Sequence, residues 1–297
     1  MSKRINILLI TVMILLMMTQ FSFAEGLFDE DDNTVTDWEK SVVKATGYGV
    51  APDYITNEAQ AKIMAREAAI TMAQRRLLET IKGVQIDSEQ TVKNAQVQSD
   101  IINKRVSGMV KGAQIIEEKK VADNVYQVIV QVKFYGKDGI MKAIFPSISE
   151  ESTETSDNND SSDLDFNNDS HDYNNSEEVD TLVQSDYTGV IINTLNIDAK
   201  PALAPKVYDE SGSLVYGISK IQSDGVITQG IVGYNRSLAD AKANPRVGKN
   251  PLIINAIEAK GRYGTDLVLS QKDARTLDQV GRSNGVFNNC KVVIVLN

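Results

Sequence analysis

The side chains that could perform chemistry are few and far apart in this chain. Its one histidine, His171, lies in an acidic segment, and its one cysteine, Cys290, begins a predicted buried strand. Nucleophilic catalysis needs a base positioned beside the nucleophile, and a zinc site needs a cluster of cysteine and histidine ligands. We therefore predict no catalytic residue, no metal ligand and no cofactor, and we predict that Cys290 is a core residue.

The acidic segment is the remaining candidate for metal chemistry. Residues 147–180 contain 12 acidic residues and no lysine or arginine. A calcium-binding loop of the EF-hand type needs a central glycine and a terminal glutamate, and Asp157–Asp163 has neither. The scarcity of apolar residues predicts a disordered linker over residues 147–181, because such a segment cannot bury enough apolar surface to offset its conformational entropy.

Two local patterns remain, a glycine pair and an arginine pair. Gly47 and Gly49 lack the third glycine of a dinucleotide-binding loop, so they indicate a bend or a close approach of backbone rather than a phosphate site. Arg75 and Arg76 are neighbours on a predicted helix and could bind an acidic partner. A solvated helix face is the alternative interpretation of the same two residues.

The element that positions these residues is a strand followed by a long helix. Residues 42–50 alternate with the period of two that is typical of a strand. Residues 58–81 are rich in alanine at spacings of three and four, which predicts a helix that can lie close to a sheet. Asn57 is the predicted N-cap, and Gly83 is predicted to end the helix in the left-handed conformation.

A second helix, with Asp100 as its predicted N-cap, and a hairpin complete the first predicted domain, residues 38–146. The hairpin arms are residues 113–121 and 125–135, and the second arm alternates cleanly between apolar and polar residues. One buried and one wet face indicate an antiparallel sheet covered by helices on a single side. The predicted fold class is therefore α+β.

Residues 182–297 predict a second, strand-rich α+β domain. The apolar runs near the C-terminus lack alternation, which indicates central strands covered on both faces. Residues 226–232 are also predicted to be a strand. Ser237 and Ser270 are each followed three residues later by aspartate, which predicts two capped helices.

The N-terminus predicts export. Lys3 and Arg4 precede an apolar run, and Ser22-Phe23-Ala24 offers small residues at the positions that a signal peptidase reads. Residues 1–24 are therefore a predicted signal peptide. An uncleaved membrane anchor is the alternative, but the apolar run is shorter than the roughly 20 residues that a spanning helix needs. Residues 25–37 are a predicted flexible N-terminus. The segment contains no cysteine, so we expect no lipid anchor. Outside residues 147–180 acids and bases nearly balance, so we expect no nucleic-acid binding.

Several stretches of the first domain resemble a known family. The chain is similar over Ser41–Tyr135 to the N-terminal domain of flagellar assembly protein T and to the related LPP-type envelope lipoproteins. The resemblance implies a secreted, non-enzymatic envelope protein, because some relatives are surface lipoproteins and others form rings around the flagellar motor. The matching residues are Ala45–Ala51, Ala65–Ala69, Arg76–Glu79, Ile81–Val84 and Val125–Val128.

Together these observations predict a bacterial protein of the periplasm or cell envelope that acts as a structural or protein-binding component. The expected partners are other envelope or flagellar proteins, and a homo-oligomer is compatible with the sequence. A calcium- or cell-wall-binding module and an envelope hydrolase are the alternatives.

Overall fold

The computed structural model describes residues 30–31, 33–145, 186–221, 225–283 and 285–297. The predicted signal peptide and the predicted acidic linker lie outside these residues. The described chain is α+β, as predicted, and contains two sheets. None of the helices within these ranges is both long enough and apolar enough to cross a membrane.

The first sheet is antiparallel and has the strand order β1-β2-β3-β5-β4. Its strands are β1 (Glu30–Asp31), β2 (Thr34–Asp37), β3 (Val42–Val50), β4 (Gln114–Ala122) and β5 (Val125–Lys133). Residues 25–37 were predicted to be flexible, and this prediction is wrong for residues 34–37, which form β2. Thr36 and Asp37 are buried in β2, because this strand pairs with β3 next to the buried Trp38.

The helices of this half are α1 (Glu58–Gly83), α2 (Val92–Gln98) and α3 (Asp100–Lys111). Residues 140–145 are also helical. Asn57 caps α1 as predicted, because its side chain accepts a hydrogen bond from the Gln60 N–H. The prediction for Gly83 is wrong: it is the last residue of α1, and the chain leaves through the extended Val84. Ser99 rather than Asp100 caps α3.

The contact between α1 and β3 is made by backbone rather than by large side chains. A Cβ on Gly47 would lie 2.1 Å from the Ala69 carbonyl oxygen, and a Cβ on Gly49 would lie 2.0 Å from that of Ala65. The buried residues of α1 recur at every fourth position: Ala61, Ala65, Ala69, Ala73, Leu77 and Ile81. The predicted close approach is therefore confirmed, and β3 is the strand that the helix lies on.

The second sheet is mixed and has the order β8-β7-β11-β10-β6-β12-β9. Residues 226–232, predicted to be a strand, instead contain most of a short helix, α4 (Gly225–Gln229), and the next strand, β9 (Gly233–Asn235), begins only after them. Both predicted serine caps are confirmed. The strands are β6 (Gly189–Asn193), β7 (Val207–Asp209), β8 (Leu214–Tyr216), β9 (Gly233–Asn235), β10 (Pro251–Lys260), β11 (Asp266–Leu269) and β12 (Val292–Val295), and the helices are α4 (Gly225–Gln229), α5 (Leu238–Ala243) and α6 (Gln271–Ser283).

Three strands of this sheet are covered on both faces. Every residue of β11 and β12 is buried, and so are four of the five residues of β6. This burial confirms the prediction for the apolar runs without alternation. The middle strand, β10, is instead exposed at alternate residues.

The two halves share one hydrophobic core. Trp38 packs against Phe134 of the first half, with ring centroids 4.6 Å apart, and against Tyr234 of β9, with centroids 5.7 Å apart. A polar joint lies elsewhere along the same junction. Ser88 donates a hydrogen bond of 2.6 Å to the buried Asp266 carboxylate, and Lys206 forms an ion pair of 3.1 Å with Asp87.

Candidate binding cleft

A cleft of about 950 Å³ opens on the first half, at the border with the second. Its walls are the C-terminal half of α3, the start of β4, the end of β5 and residues 135–143. Thr228 of α4 adds a contribution from the second half. These elements meet here because β4 and β5 pair with Gln114 opposite Gln131, which brings the end of α3 beside the chain that leaves β5.

Positive charge dominates the rim of the cleft. Four exposed cationic side chains are among the described residues that line it: Arg105, Lys133, Lys137 and Lys142. Asp138 is the one carboxylate among these described lining residues. Lys137 lies 4.0 Å from Asp138. Within the described ranges the other three cations form no ion pair. A concave surface lined by charges of one sign focuses its field and attracts ligands of the opposite sign.

The loop that carries Lys137 is held by the second half. Gly136 adopts a φ of 101°, which favours glycine, and its N–H donates a hydrogen bond of 2.8 Å to the Ile227 carbonyl of α4. Lys137 therefore projects from a loop that is anchored at its start, so less conformational entropy is lost when it binds.

The floor beside this loop is a buried aromatic contact. The ring of Tyr135 lies so close to Gly230 that a Cβ there would come within 2.2 Å of it. Arg246 holds the same segment, because its guanidinium donates to the carbonyls of Gly230 (3.0 Å) and Cys290 (2.8 Å). Burial raises the pKa of the Tyr135 phenol far above its usual value, so the floor is uncharged.

Cys290 is buried, as predicted for a core residue. Burial raises the pKa of its thiol, so the protonated form is favoured and the reactive thiolate is scarce. It precedes β12 by two residues and adopts a φ of 50° rather than beginning the strand. In the part of the chain that the structure describes, no three Cys, His, Asp or Glu side chains are grouped so that they could hold a metal ion.

The two arginines singled out from the sequence lie on α1, away from this cleft, and have different surroundings. Arg75 is exposed. Arg76 is half-buried, and its guanidinium donates a hydrogen bond of 2.6 Å to the Thr46 carbonyl of β3. The structure therefore separates a pair that the sequence treats as one unit: Arg76 is bonded to the sheet, and Arg75 is available to a partner.

The cleft cations were not predicted from the sequence because they are scattered over 38 positions, from Arg105 to Lys142, and over three elements. No local spacing marks them as a group. The one signal in the sequence is Gly136-Lys137-Asp138-Gly139, a polar turn directly after the clean alternation of β5.

The fold and the cleft define an α+β protein whose open concave surface is basic. Comparison with known protein families shows a similarity for its second half. A family model described as the second domain of Treponema pallidum Tp0624 matches residues 189–297. The match begins at the first residue of β6 and covers the whole second sheet. It therefore leaves out the first sheet and every cationic residue of the cleft. A search of curated proteins gives no match.

Proposed function

We propose that this chain is an exported, non-enzymatic component of the bacterial cell envelope that binds an acidic segment of another envelope protein. The observation that carries the proposal is the convergence of Arg105, Lys133 and Lys142 on one open cleft, without ion-pair partners among the described residues. Export rests on the signal-peptide pattern of residues 1–24. A flagellar location rests on the resemblance of Ser41–Tyr135.

The size and charge of the cleft suit an acidic peptide segment. A cleft of about 950 Å³ is at the upper end of the range for small-molecule sites, so it can hold several residues of an extended chain. Its cations are long, exposed side chains rather than a buried point of charge. Such side chains raise the association rate and select the sign of the partner more than they add affinity.

The test is a crosslinking pull-down from intact cells with the full-length chain. The variant R105E/K133E/K142E reverses the three unpaired cations of the cleft. Its matched control is K242E/K249E/K272E, which reverses three exposed lysines of the second half and makes the same change in net charge. We expect the cleft variant to capture about tenfold less of its partner, or even less, and the control to capture as much as the unchanged protein.

Two further measurements sharpen the result. The melting temperatures of both variants should stay close to that of the unchanged protein, since surface substitutions usually change stability by about 0.5 kcal/mol or less each. Partner binding should weaken as salt rises, because exposed charges are screened. Equal capture by the two variants would overturn the assignment of the cleft.

A further inference from the structure

Part of one edge of β3 has no neighbouring strand. β2 pairs with β3 only from Val42 to Ala45, and the Thr46 N–H donates to the Asn33 carbonyl just beyond. The Ala51 N–H donates to Asn124 on the hairpin side of β3. Because backbone groups alternate in direction along a strand, those of Tyr48 and Val50 point the opposite way. Among the described residues they have no hydrogen-bond partner.

Helix α1 forms a wall beside this open edge. Arg66 forms an ion pair of 2.8 Å with Glu118 of β4, which identifies the side of α1 that faces the hairpin. Met64, Ala68 and Met72 follow one another at spacings of four on the other side, and all three are exposed. The Ala68 Cβ would lie only 2.8 Å from a Cβ on Gly49, so this row of side chains stands directly over the edge.

The open face of the sheet adds a second apolar surface along the same edge. The side chains of Tyr48 and Val50 point away from α1, and they are 43% and 62% exposed. A strand added here would place alternate side chains against Met64 and Met72 on one face and against Tyr48 and Val50 on the other. Large exposed apolar side chains around unpaired backbone groups are the features of a site for strand addition.

Arg76 marks one end of this surface. It follows Met72 by four residues and so lies in the same row of α1, and its guanidinium donates to the Thr46 carbonyl, where the stretch without a neighbour begins. Arg75 faces away from the sheet, because it lies midway between the buried Ala73 and Leu77. The positive charge of Arg76 favours an acidic residue at this end of the ligand.

We propose that this surface, the edge groove formed by Tyr48, Val50, Met64, Ala68, Met72 and Arg76, binds an extended segment of another protein by strand addition. The segment carries apolar residues at alternate positions and an acidic residue at the Arg76 end. The edge groove lies apart from the basic cleft, so this inference goes beyond the proposed function. It gives the first half a second binding surface, with a ligand of different chemistry.

A second copy of this chain does not fit the edge groove. Neighbouring strands lie about 4.8 Å apart, whereas packed helices need about 8–10 Å between their axes. Each α1 lies directly on its own β3, because Gly47 and Gly49 admit the helix backbone. Pairing two β3 edges would bring the two helices too close together. The ligand is therefore a strand without a helix on that face.

The test uses full-length protein and a fluorescein-labelled synthetic peptide of alternating valine and threonine that ends in two aspartates. Fluorescence anisotropy measures binding, and hydrogen exchange measures protection of the Tyr48 and Val50 amides. We expect binding with both amides protected. A peptide with proline at alternate positions should not bind, because proline lacks the N–H that pairing requires.

Variants of the groove decide whether the site is the one proposed. M64K and M72K should each weaken binding by about tenfold. The controls I63K and V97K place a lysine at exposed apolar positions outside the groove and should leave binding unchanged. Equal binding by groove and control variants overturns the proposal. So does peptide binding without protection of the two amides, or sedimentation that shows the unliganded chain to be a dimer with these amides protected.

Discussion

The two sheets of this protein hold their helices in opposite ways. In the first, α1 lies on β3 with alanine against glycine, and the Ala65 and Ala69 carbonyls occupy the space that side chains would fill. In the second, α6 covers strands β7, β8 and β11 with side chains such as the fully buried Leu277. The contact between α1 and β3 has no room for added atoms. The contact under α6 depends on the side chains that fill it.

The same comparison explains where the binding surfaces lie. In the second sheet β6, β11 and β12 are buried on both faces, although β10 is exposed at alternate residues, and the core is continuous with the first half. The first sheet is covered on one face only, its outer strand β4 is almost wholly exposed, and β3 is partly open at its edge. Strands with open backbone and a wet face can bind other molecules, whereas strands covered on both faces mainly supply stability.

The largest effect should come from adding one carbon atom to the first contact. Gly49→Ala places a Cβ 2.0 Å from the Ala65 carbonyl oxygen, so α1 must move off the sheet. We expect a loss of more than about 4 kcal/mol in the free energy of unfolding, measured by urea denaturation. Gly83→Ala is the control, since its Cβ would meet nothing within 4 Å. Equal stability of the two variants would contradict a backbone contact.

Removing atoms should break the second contact instead. Leu277→Ala leaves a cavity under α6, because this side chain is fully buried. Such truncations cost about 2–5 kcal/mol, and we expect about 3 kcal/mol in the same urea measurement. A loss below about 1 kcal/mol would mean that α6 relaxes into the gap, and the contrast between the two sheets would then fail.

A smaller effect should separate the two arginines of α1. Arg76→Ala removes the hydrogen bond to the Thr46 carbonyl and leaves that acceptor without its partner, which should cost about 1–2 kcal/mol. Arg75→Ala should change the free energy of unfolding by less than about 0.5 kcal/mol, because this residue is exposed. If the two variants are equally stable, Arg76 is as free as Arg75, and the edge of β3 is open from Thr46 onward.

The smallest effect should be a dependence of stability on pH, caused by Asp266 in the polar joint between the two halves. Burial raises the pKa of Asp266, although hydrogen bonds from Ser88 and from the Lys206 N–H oppose the shift. The folded chain therefore keeps this proton to higher pH than the unfolded chain, and this contribution to stability is lost as pH rises from about 3.9 through the folded pKa.

Asp266→Asn isolates that contribution, because the amide does not titrate. The free energy of unfolding of the unchanged protein, relative to this variant, should fall as pH rises from about 3.9 through the folded pKa of Asp266. Urea denaturation at several pH values measures this difference. A difference that grows with pH would show instead that the joint stabilises the ionised carboxylate.

Much of the fold could be predicted from the sequence because its signals are local. The alternation of β5, the four-residue spacing of alanines in α1 and the caps at Asn57, Ser237 and Ser270 each involve residues only a few positions apart. Even the closeness of α1 to β3 could be inferred from small residues alone. Two elements were missed. Residues 226–232 have a strand composition but contain most of the helix α4, and residues 34–37 form β2 because they pair with β3.

The binding surfaces could not be predicted in this way. Arg105 and Lys142 become neighbours of one cleft only when β5 has paired with β4. The open edge at Tyr48 exists because β2 stops opposite Ala45, and Arg76 differs from Arg75 because it donates to the Thr46 carbonyl of β3. The sequence by itself determined the elements and their apolar faces, since these depend on residue type and spacing. The tertiary structure alone decided which charges converge and which edge stays unpaired, because both depend on where strands end relative to one another.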